Sequence, residues 1–283
     1  MILIADGGST KADWIALDTN KQEAFRVRTL GLNPAVVSQE ELTNRIVNMF
    51  QLMNVKSEVT EIHFYGAGCG TPTPIEILKN VLQEIFVNAK IHIAEDVLAA
   101  VYASTGNAPA IVCIVGTGSN SCYYDGKTVH MNTVSLGYTV MDEASGNYFG
   151  KLLLREYFYE MMPKRIAARF EELNNLDPDF IKLNLYRKPN PNMYLASFAK
   201  FMFEFKDDPY IQEIIKRGFN EFFKYRVLPY GKTSDTPIYF IGSIAFYFRE
   251  ILENVAEENG LKITGIIQRP IDNLLDYHRN NIN

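Results

Sequence analysis

The first eleven residues, MILIADGGSTK, set an acid, two glycines, two hydroxyls and an amine directly behind a short apolar run. Asp6, Gly7, Gly8, Ser9, Thr10 and Lys11 are residue types that together can handle a polyphosphate. Glycines let backbone N–H groups approach phosphate oxygens, the hydroxyls add donors, Lys11 adds a point charge, and Asp6 can hold a hydrated Mg²⁺ through water. The same letters also suit a plain hairpin turn after an edge strand. A second strand-to-glycine turn, IVCIVGTGSN at 111–120, offers Gly116, Thr117, Gly118, Ser119 and Asn120. A third, IYFIGS at 238–243, offers Gly242 and Ser243. Three such turns point to a duplicated nucleotide-binding core rather than to chance hairpins. Neither G-x-x-x-x-G-K-[ST] nor G-x-G-x-x-G occurs, which disfavours the P-loop and Rossmann arrangements.

The elements that must carry these turns follow from periodicity. ILIADGG, ADWIALDT and EAFRVRTL read as a three-strand meander, with Asp18, Thr19 and Asn20 turning between the second and third strands. GLNPAVVSQEELTNRIVNMFQLM opens a loop and a helix, with Ser38 as N-cap and Glu41 three residues on. EIHFYG ends in Gly66, Ala67 and Gly68, a helix is expected from about Pro74 to Val87, and KIHIAED ends a strand at Asp96. This order of strands and helices is ribonuclease H-like. It starts again after a linker near Thr105 to Pro109, with IVCIVGTGSN, SCYYDG and TVHMNTV as strands and Asp125-Gly126 as a hairpin turn. From about 147 to 226 the pattern turns helical and aromatic-rich, which reads as packing between helices. Arg187 and Lys188 read as a solvated loop before Pro189. AFYFREILENVAEE after Gly242-Ser243 reads as a helix, and PIDNLLDYHRNNIN as the last one. His63, His92 and His130 read as strand residues, and His278 shows no partner in the sequence.

Composition fits an enzyme-sized globular protein. With 283 residues, 47% hydrophobic and 22% charged, the chain is long enough for two domains. Nothing approaches the length of a membrane span, and MILIA lacks the basic flank of a signal peptide, so a cytoplasmic protein is expected. Cys69, Cys113 and Cys122 are few and odd in number, as in a reducing compartment, and their spacing suits no metal cluster. A net charge of −5 gives no general attraction to nucleic acid or anionic membrane, so the expected partner is a small molecule.

Taken in order, DGGSTK (6–11), GLNP (31–34), FYGAGC (64–69), AEDVLAA (94–100), VGTGSNS (115–121), LGYTVMDEASG (136–146) and FIGSIAFYF (240–248) resemble the N-acetylglucosamine kinase and BadF/BadG/BcrA/BcrD-type ATPase family. That family belongs to the actin, hexokinase and heat-shock ATPase superfamily. The resemblance covers nearly the whole chain. It implies an α/β fold of duplicated ribonuclease H-like, actin-like ATPase domains with a cleft between them, at 1–107 and 108–283. The second would carry a helical insertion at about 147–226, with the last helix free to return to the first domain. It further implies ATP and Mg²⁺ as cofactors and an ATP-dependent kinase acting on an amino sugar, N-acetylglucosamine first and N-acetylmuramic acid second. A homodimer is a common assembly among similar kinases.

Carried over by position, the resemblance puts one phosphate loop on Asp6 to Lys11, a second on Gly116 to Asn120, and the adenosine-side turn on Gly242 and Ser243. Asp96 matches the catalytic base toward the sugar hydroxyl. A carboxylate at the end of a buried strand, followed by Ala99 and Ala100, can face a cleft and accept a proton, although Asp96 could instead cap the following helix. Strand alternation points the neighbouring Glu95 the other way. Asn33, Gly66, Gly68, Asn120, Asp142 and Glu143 match positions around the sugar. The family usually has Gly-Asp-Glu-Gly-Ser where this chain has Met141-Asp142-Glu143-Ala144-Ser145. Alanine there costs more than about 1 kcal/mol if the turn needs positive φ. Two rival readings remain at this stage: an ATPase that activates a radical dehydratase or reductase through cysteines bridging an iron–sulfur cluster, and a non-catalytic nucleotide or sugar sensor.

Overall fold

The computed structural model describes residues 1–106, 108–231 and 235–281. It divides into two compact units, the first made of Met1–Gly106 with the chain from Pro270 onward, the second of the described residues between them, up to Arg269.

In the first unit, β1 (Ile2–Gly7), β2 (Lys11–Leu17) and β3 (Glu23–Leu30) form the antiparallel meander. Asp18 makes its turn by accepting from the N–H groups of Asn20 and Gln22. Helix α1 (Gln39–Val47) is capped by Ser38, whose hydroxyl accepts from Glu41 N, and α2 (Phe50–Asn54) follows. Next come β4 (Glu61–Gly66), α3 (Pro72–Ile85), β5 (Lys90–Glu95) and α4 (Asp96–Ser104). Helix α3 starts and ends two residues earlier than the sequence suggested, because Pro72 fits the first turn of a helix, where its missing N–H is not needed. Strand order is β3-β2-β1-β4-β5, with β1, β4 and β5 parallel. The near-continuous apolar run of β1 is explained by this place, since a central strand buries both faces. Leu3, Ala5, Trp14 and Phe64 pack on the side of α1 and α3, whereas Ile4, Ile15, Leu17 and Tyr65 pack on the other. Burying one ring such as Phe64 contributes roughly 1.5–3 kcal/mol.

The second unit repeats the sheet. β6 (Ala110–Val115), β7 (Ser119–Tyr124) and β8 (Val129–His130) are antiparallel neighbours. Strand β8 is only two residues, not the seven of TVHMNTV, because the chain leaves the sheet edge into the turns before Gly137. The helical region then runs through α5 (Gly146–Phe158), α6 (Lys164–Leu173), α7 (Pro178–Tyr186), α8 (Pro191–Phe198), α9 (Phe201–Glu204) and α10 (Pro209–Phe222). A π-helical turn (Phe223–Val227) and a 3₁₀ turn (Leu228–Tyr230) end it. Its aromatic residues, Phe149, Phe170, Phe219, Phe222 and Phe223, are core, as their helical spacing implied.

The unit closes with β9 (Ile238–Ile241), α11 (Ser243–Tyr247), α12 (Arg249–Glu258) and β10 (Gly265–Ile267). The expected single helix after Ser243 is two, broken where Phe248 leaves helical geometry at φ −107°, ψ 30° and is buried in the core. Strand order β10-β9-β6-β7-β8 matches that of the first sheet, with β6 in the place of β1. Both sheets are therefore mixed, five-stranded and built to one plan, the duplicated α/β architecture expected. Helix α13 (Ile271–Asn281) belongs to the first unit, where Ile271, Leu274 and Leu275 cover Ile4, Ile15 and Tyr65. His278 is not partnerless there, since its Nε2 shares a hydrogen bond of 3.0 Å with the Tyr65 hydroxyl. Its ring packs on His63. No described helix is long and apolar enough to cross a membrane.

Candidate active site

The site residues fall into one group in each unit. In the first, β1 runs parallel to β4 and β5, so Gly7, Gly66 and Glu95 come level at the carboxyl ends of adjacent strands. Crevices outside such ends are where open α/β sheets bind ligands. The turn between β1 and β2 is a tight hairpin, and so is the one between β6 and β7. The hairpin and phosphate-loop readings set against each other in the sequence are thus compatible, and the first two turns are hairpins.

Glycine has a packing reason at several of these positions. A Cβ on Gly7 would meet the Phe64 ring at 2.3 Å, and one on Gly31 would meet the Ser9 carbonyl at 2.1 Å. Gly8 is less enclosed, with only the Lys11 carbonyl within 4 Å, at 3.3 Å. Asn33 ties the group together: its Nδ2 donates to Ser9 Oγ at 2.9 Å, while its Oδ1 accepts from Ala35 N. That same Oδ1 stands where a Cβ on Gly68 would be, 2.0 Å away. Asn33 therefore touches the β1–β2 turn and the Gly66–Gly68 turn at once. Gly66 is closed from the other side by the Phe64 ring and Cys69 Sγ.

Asp96 is the first residue of α4, not the last of β5, and its helix cap is Glu95. The alternation that was to send Glu95 to the opposite face therefore stops at this junction. Glu95 Oε1 lies 2.9 Å from where a Cβ on Gly70 would be. Burial first, then the charges of Asp96 and Glu95, push the neighbouring Cys69 thiol up to about 12. The Glu95 carboxylate thus borders the 66–70 turn, and Asp96 follows it as the first residue of α4. Burial also raises the Glu95 carboxyl above its ordinary value. Asp96 gains from the positive end of the α4 dipole.

Asp13 went unnoticed in the sequence. It is the cross-strand partner of Asp6, so the two share a face of the sheet, and it is buried. Arg28 Nε lies 2.6 Å from its Oδ1 and Lys11 Nζ 3.5 Å from its Oδ2. The period-2 alternation of KADWIAL, which sets Lys11, Asp13 and Ile15 on one face, was the signal that could have found it.

In the second unit the turn Gly116–Gly118 is bonded to the start of α5: Gly146 N donates to Gly116 O at 2.8 Å and Asn147 N to Thr117 O at 3.0 Å. A Cβ on Gly118 would meet Asp142 Oδ2 at 2.8 Å, whereas Gly116 faces open space. Asp142 also accepts from Asn147 Nδ2 at 2.8 Å, and its burial raises its carboxyl above the ordinary value. Ser119 Oγ donates to the Glu143 carbonyl at 2.7 Å. Asn120 is buried within β7, where its Oδ1 accepts from Ser121 N. Gly242, at φ 120°, backs onto this loop, since a Cβ there would meet the Val115 carbonyl at 2.4 Å. Ser243 opens α11 behind it. The turn 141–145 holds two left-handed non-glycine residues, Asp142 at φ 70° and Ala144 at φ 59°. Strain of this kind, about 1–3 kcal/mol per residue, gathers at functional sites.

Cys69, Cys113 and Cys122 are buried and form no disulfide. Thiols in such positions give no exposed pair to bridge an iron–sulfur cluster, so the dehydratase-activator reading has no residues to carry it among these cysteines.

No protein-family model and no curated protein matches the chain. Solved structures do. A candidate N-acetylglucosamine kinase from Porphyromonas gingivalis superposes with a TM-score of 0.90 at 35% identity, over 99% of both chains. Another, from Chromobacterium violaceum, gives 0.76 at 13% identity over 98% of both. A ROK family glucokinase from Streptomyces griseus, in complex with glucose and AMPPNP, gives 0.63 at 12% over 99% of this chain and 98% of its own. The last two establish a shared fold; the first, alike in sequence along its whole length, establishes kinship. The chain belongs to the N-acetylglucosamine kinase-like family of sugar kinases with the actin-like ATPase fold.

Proposed function

We propose that this kinase transfers the γ-phosphoryl group of ATP to a hydroxyl of an amino sugar, N-acetylglucosamine before others, with Asp96 as general base. The observation that carries the reading is Asn33, which joins Ser9 of the first phosphate turn to the 66–68 turn, where Gly66 is level with Glu95 at the strand ends, one residue before Asp96. A sugar held by Asn33 is thereby near both a phosphate-binding turn and a carboxylate able to take its proton.

The residues fit a nucleotide. A Cβ on Gly116 would face open space and one on Gly8 would meet only the Lys11 carbonyl, at 3.3 Å, so no side chain covers the backbone at either position, which suits approach of phosphate oxygens; the Gly116 N–H itself donates to the Gly118 carbonyl. Lys11, steered by Asp13, adds positive charge beside the first turn. Among the described residues no group of three acids, histidines or cysteines forms a metal cage. Mg²⁺ is ordinarily held by one or two carboxylates, waters and substrate phosphates, and Asp6 would hold it here through water. It would supply neutralisation of phosphate charge.

The chain's own groups account for the rest. In the first unit Asn33 offers an amide to ring hydroxyls; in the second unit, taken by itself, Asp142 and Glu143 offer two carboxylates, and Thr117 and Asn120 extend that set. Asp96 accepts the proton as the hydroxyl oxygen attacks, which is worth roughly 100-fold to 10,000-fold. Mass spectrometry of reactions with ATP and N-acetylglucosamine tests the proposal. A sugar phosphate formed by the wild type and lost in Asp96→Asn supports it. A product formed equally by both removes Asp96 as base, and a product with no sugar phosphate at all, only free phosphate, removes the acceptor.

A further inference from the structure

A buried guanidinium in the second unit lies outside the chemistry described so far. Arg226 sits in the π-helical turn Phe223–Val227 with its side chain only 3% exposed. Its Nε donates to Glu143 Oε2 at 3.0 Å. Its Nη2 is buried without a hydrogen-bond partner. Its carbonyl accepts from Ser121 Oγ at 2.7 Å, and Tyr230 OH donates to the Ser121 carbonyl at 2.9 Å. The guanidinium is thus anchored through its backbone to β7, the strand that follows the Gly116–Gly118 turn.

Three features argue against a purely structural role. π-Helical turns are rare and occur often at functional sites, where the extra residue re-aims a side chain. A buried charge with one donor unsatisfied is a poor way to gain stability, since an apolar side chain of similar volume would fill the same space without that desolvation cost. The grip is also single-toothed: arginine–carboxylate pairs frequently use two parallel N–H donors, and here only Nε is engaged. What the contact does achieve is to fix one carboxylate, Glu143, which stands between the left-handed Asp142 and Ala144.

We infer that Arg226 is a positioning residue for sugar recognition, acting through Glu143 to hold the 142–145 turn where it reads the acceptor's hydroxyls. The inference rests on the amino-sugar kinase reading. The sequence offered no sign of it, because Arg226 lies in a helical stretch where a basic residue reads as surface.

The test compares Arg226→Lys, Arg226→Met, Glu143→Ala and the Met/Ala double variant, each with KM for sugar, KM for ATP, kcat and melting temperature. Lysine keeps the charge and loses the planar fork. Arg226→Lys and Arg226→Met are expected to raise the sugar KM by ~10-fold or more while the ATP KM stays within ~2-fold, since the lost contact concerns one substrate. The double variant should be no worse than Glu143→Ala alone within ~2-fold, because the two residues act as one unit. Should Arg226→Met fail to fold, Arg226→Lys decides by the same KM split. Unchanged sugar KM, equal increases in both KM values, or losses that multiply in the double variant would overturn the positioning role. A wild type inert toward every amino sugar would remove the kinase reading and this inference with it.

Discussion

Asp96 and Glu95 stand one residue apart yet differ in kind. Asp96 opens a helix and benefits from its dipole, whereas Glu95 is the cap, half-buried against Gly70 and held toward its protonated form by burial. Asp96→Asn is expected to lose ~100-fold to 10,000-fold in kcat with ATP affinity within a few-fold. Glu95→Gln should keep at least ~10% of kcat, a loss far below that of a general base. Steady-state kinetics on the best sugar checks the ranking, and the reverse order would make Glu95 the base. Ala144 poses a smaller question with two opposing terms. Relief of its left-handed backbone by glycine gains about 1 kcal/mol, and loss of a fully buried methyl costs ~0.8 kcal/mol. Thermal melting of Ala144→Gly should therefore show little change, whereas Ala144→Val, branched at positive φ in a filled core, should melt markedly lower. The positive φ itself was not legible: the departure from the family's glycine was visible in the sequence, but only the fold gives the angle.

Elements divide by whether a local signal governs them. The β1–β2–β3 meander, the Ser38 cap and the Asp18 turn were readable because alternation, capping and turn chemistry act over a few neighbouring residues. The β5–α4 junction was not, because nothing local decides whether Asp96 extends a strand or starts a helix. Glu95 stays in β5 and Asp96 starts the helix, so strand alternation no longer relates the two side chains. The break at Phe248 was hidden too, since burying that ring depends on residues far along the chain. The turns make a prediction at this scale. Gly242→Ala would force a Cβ to 2.4 Å from the Val115 carbonyl at φ 120°, so both the β9–α11 turn and the Gly116–Gly118 turn must shift. A Cβ at Gly8 meets a milder obstacle, the Lys11 carbonyl at 3.3 Å. Calorimetry should show weaker ATP binding for both, with a melting temperature lowered more by Gly242→Ala than by Gly8→Val. ATP affinity unaffected by Gly8→Val would mean that the first turn holds no phosphate.

Across the whole molecule, one plan used twice explains why two hairpin turns of similar composition lie a hundred residues apart, each at the end of the central strand of its own sheet. The C-terminal helix adds a feature that composition could not show. In the first unit α13 brings His278 against Tyr65 and His63, while His92 stacks on His63 with Lys90 nearby. Glu61 Oε1 lies 3.2 Å and 3.0 Å from the Nε2 atoms of His63 and His92, yet both atoms lack a hydrogen bond. The two rings are parallel within 7°, so they cannot both aim at one ion. His63 and His278 are the mostly buried members of the cluster, whereas the His92 side chain is 40% exposed. Burial, then His63, holds His278 down to about 3, and burial lowers His63 as well. Unfolded histidines take up protons near pH 6.5 that the folded ones refuse. Stability from these groups is therefore fully present above about pH 6.5 and is lost as pH falls toward 3, by at most ~1.4 kcal/mol per pH unit for each histidine. Melting curves from pH 7 to pH 4 should fall in midpoint, and His278→Gln should flatten the slope; an unchanged slope would place the acid sensitivity elsewhere.

The central claim, ATP-dependent phosphorylation of an amino sugar, is tested most directly by coupled ADP release over a panel of amino sugars and hexoses, with Mg²⁺ present and omitted. The account predicts ADP release that requires both Mg²⁺ and sugar, with the highest kcat/KM for N-acetylglucosamine. ADP release at the same rate with and without every sugar would contradict it.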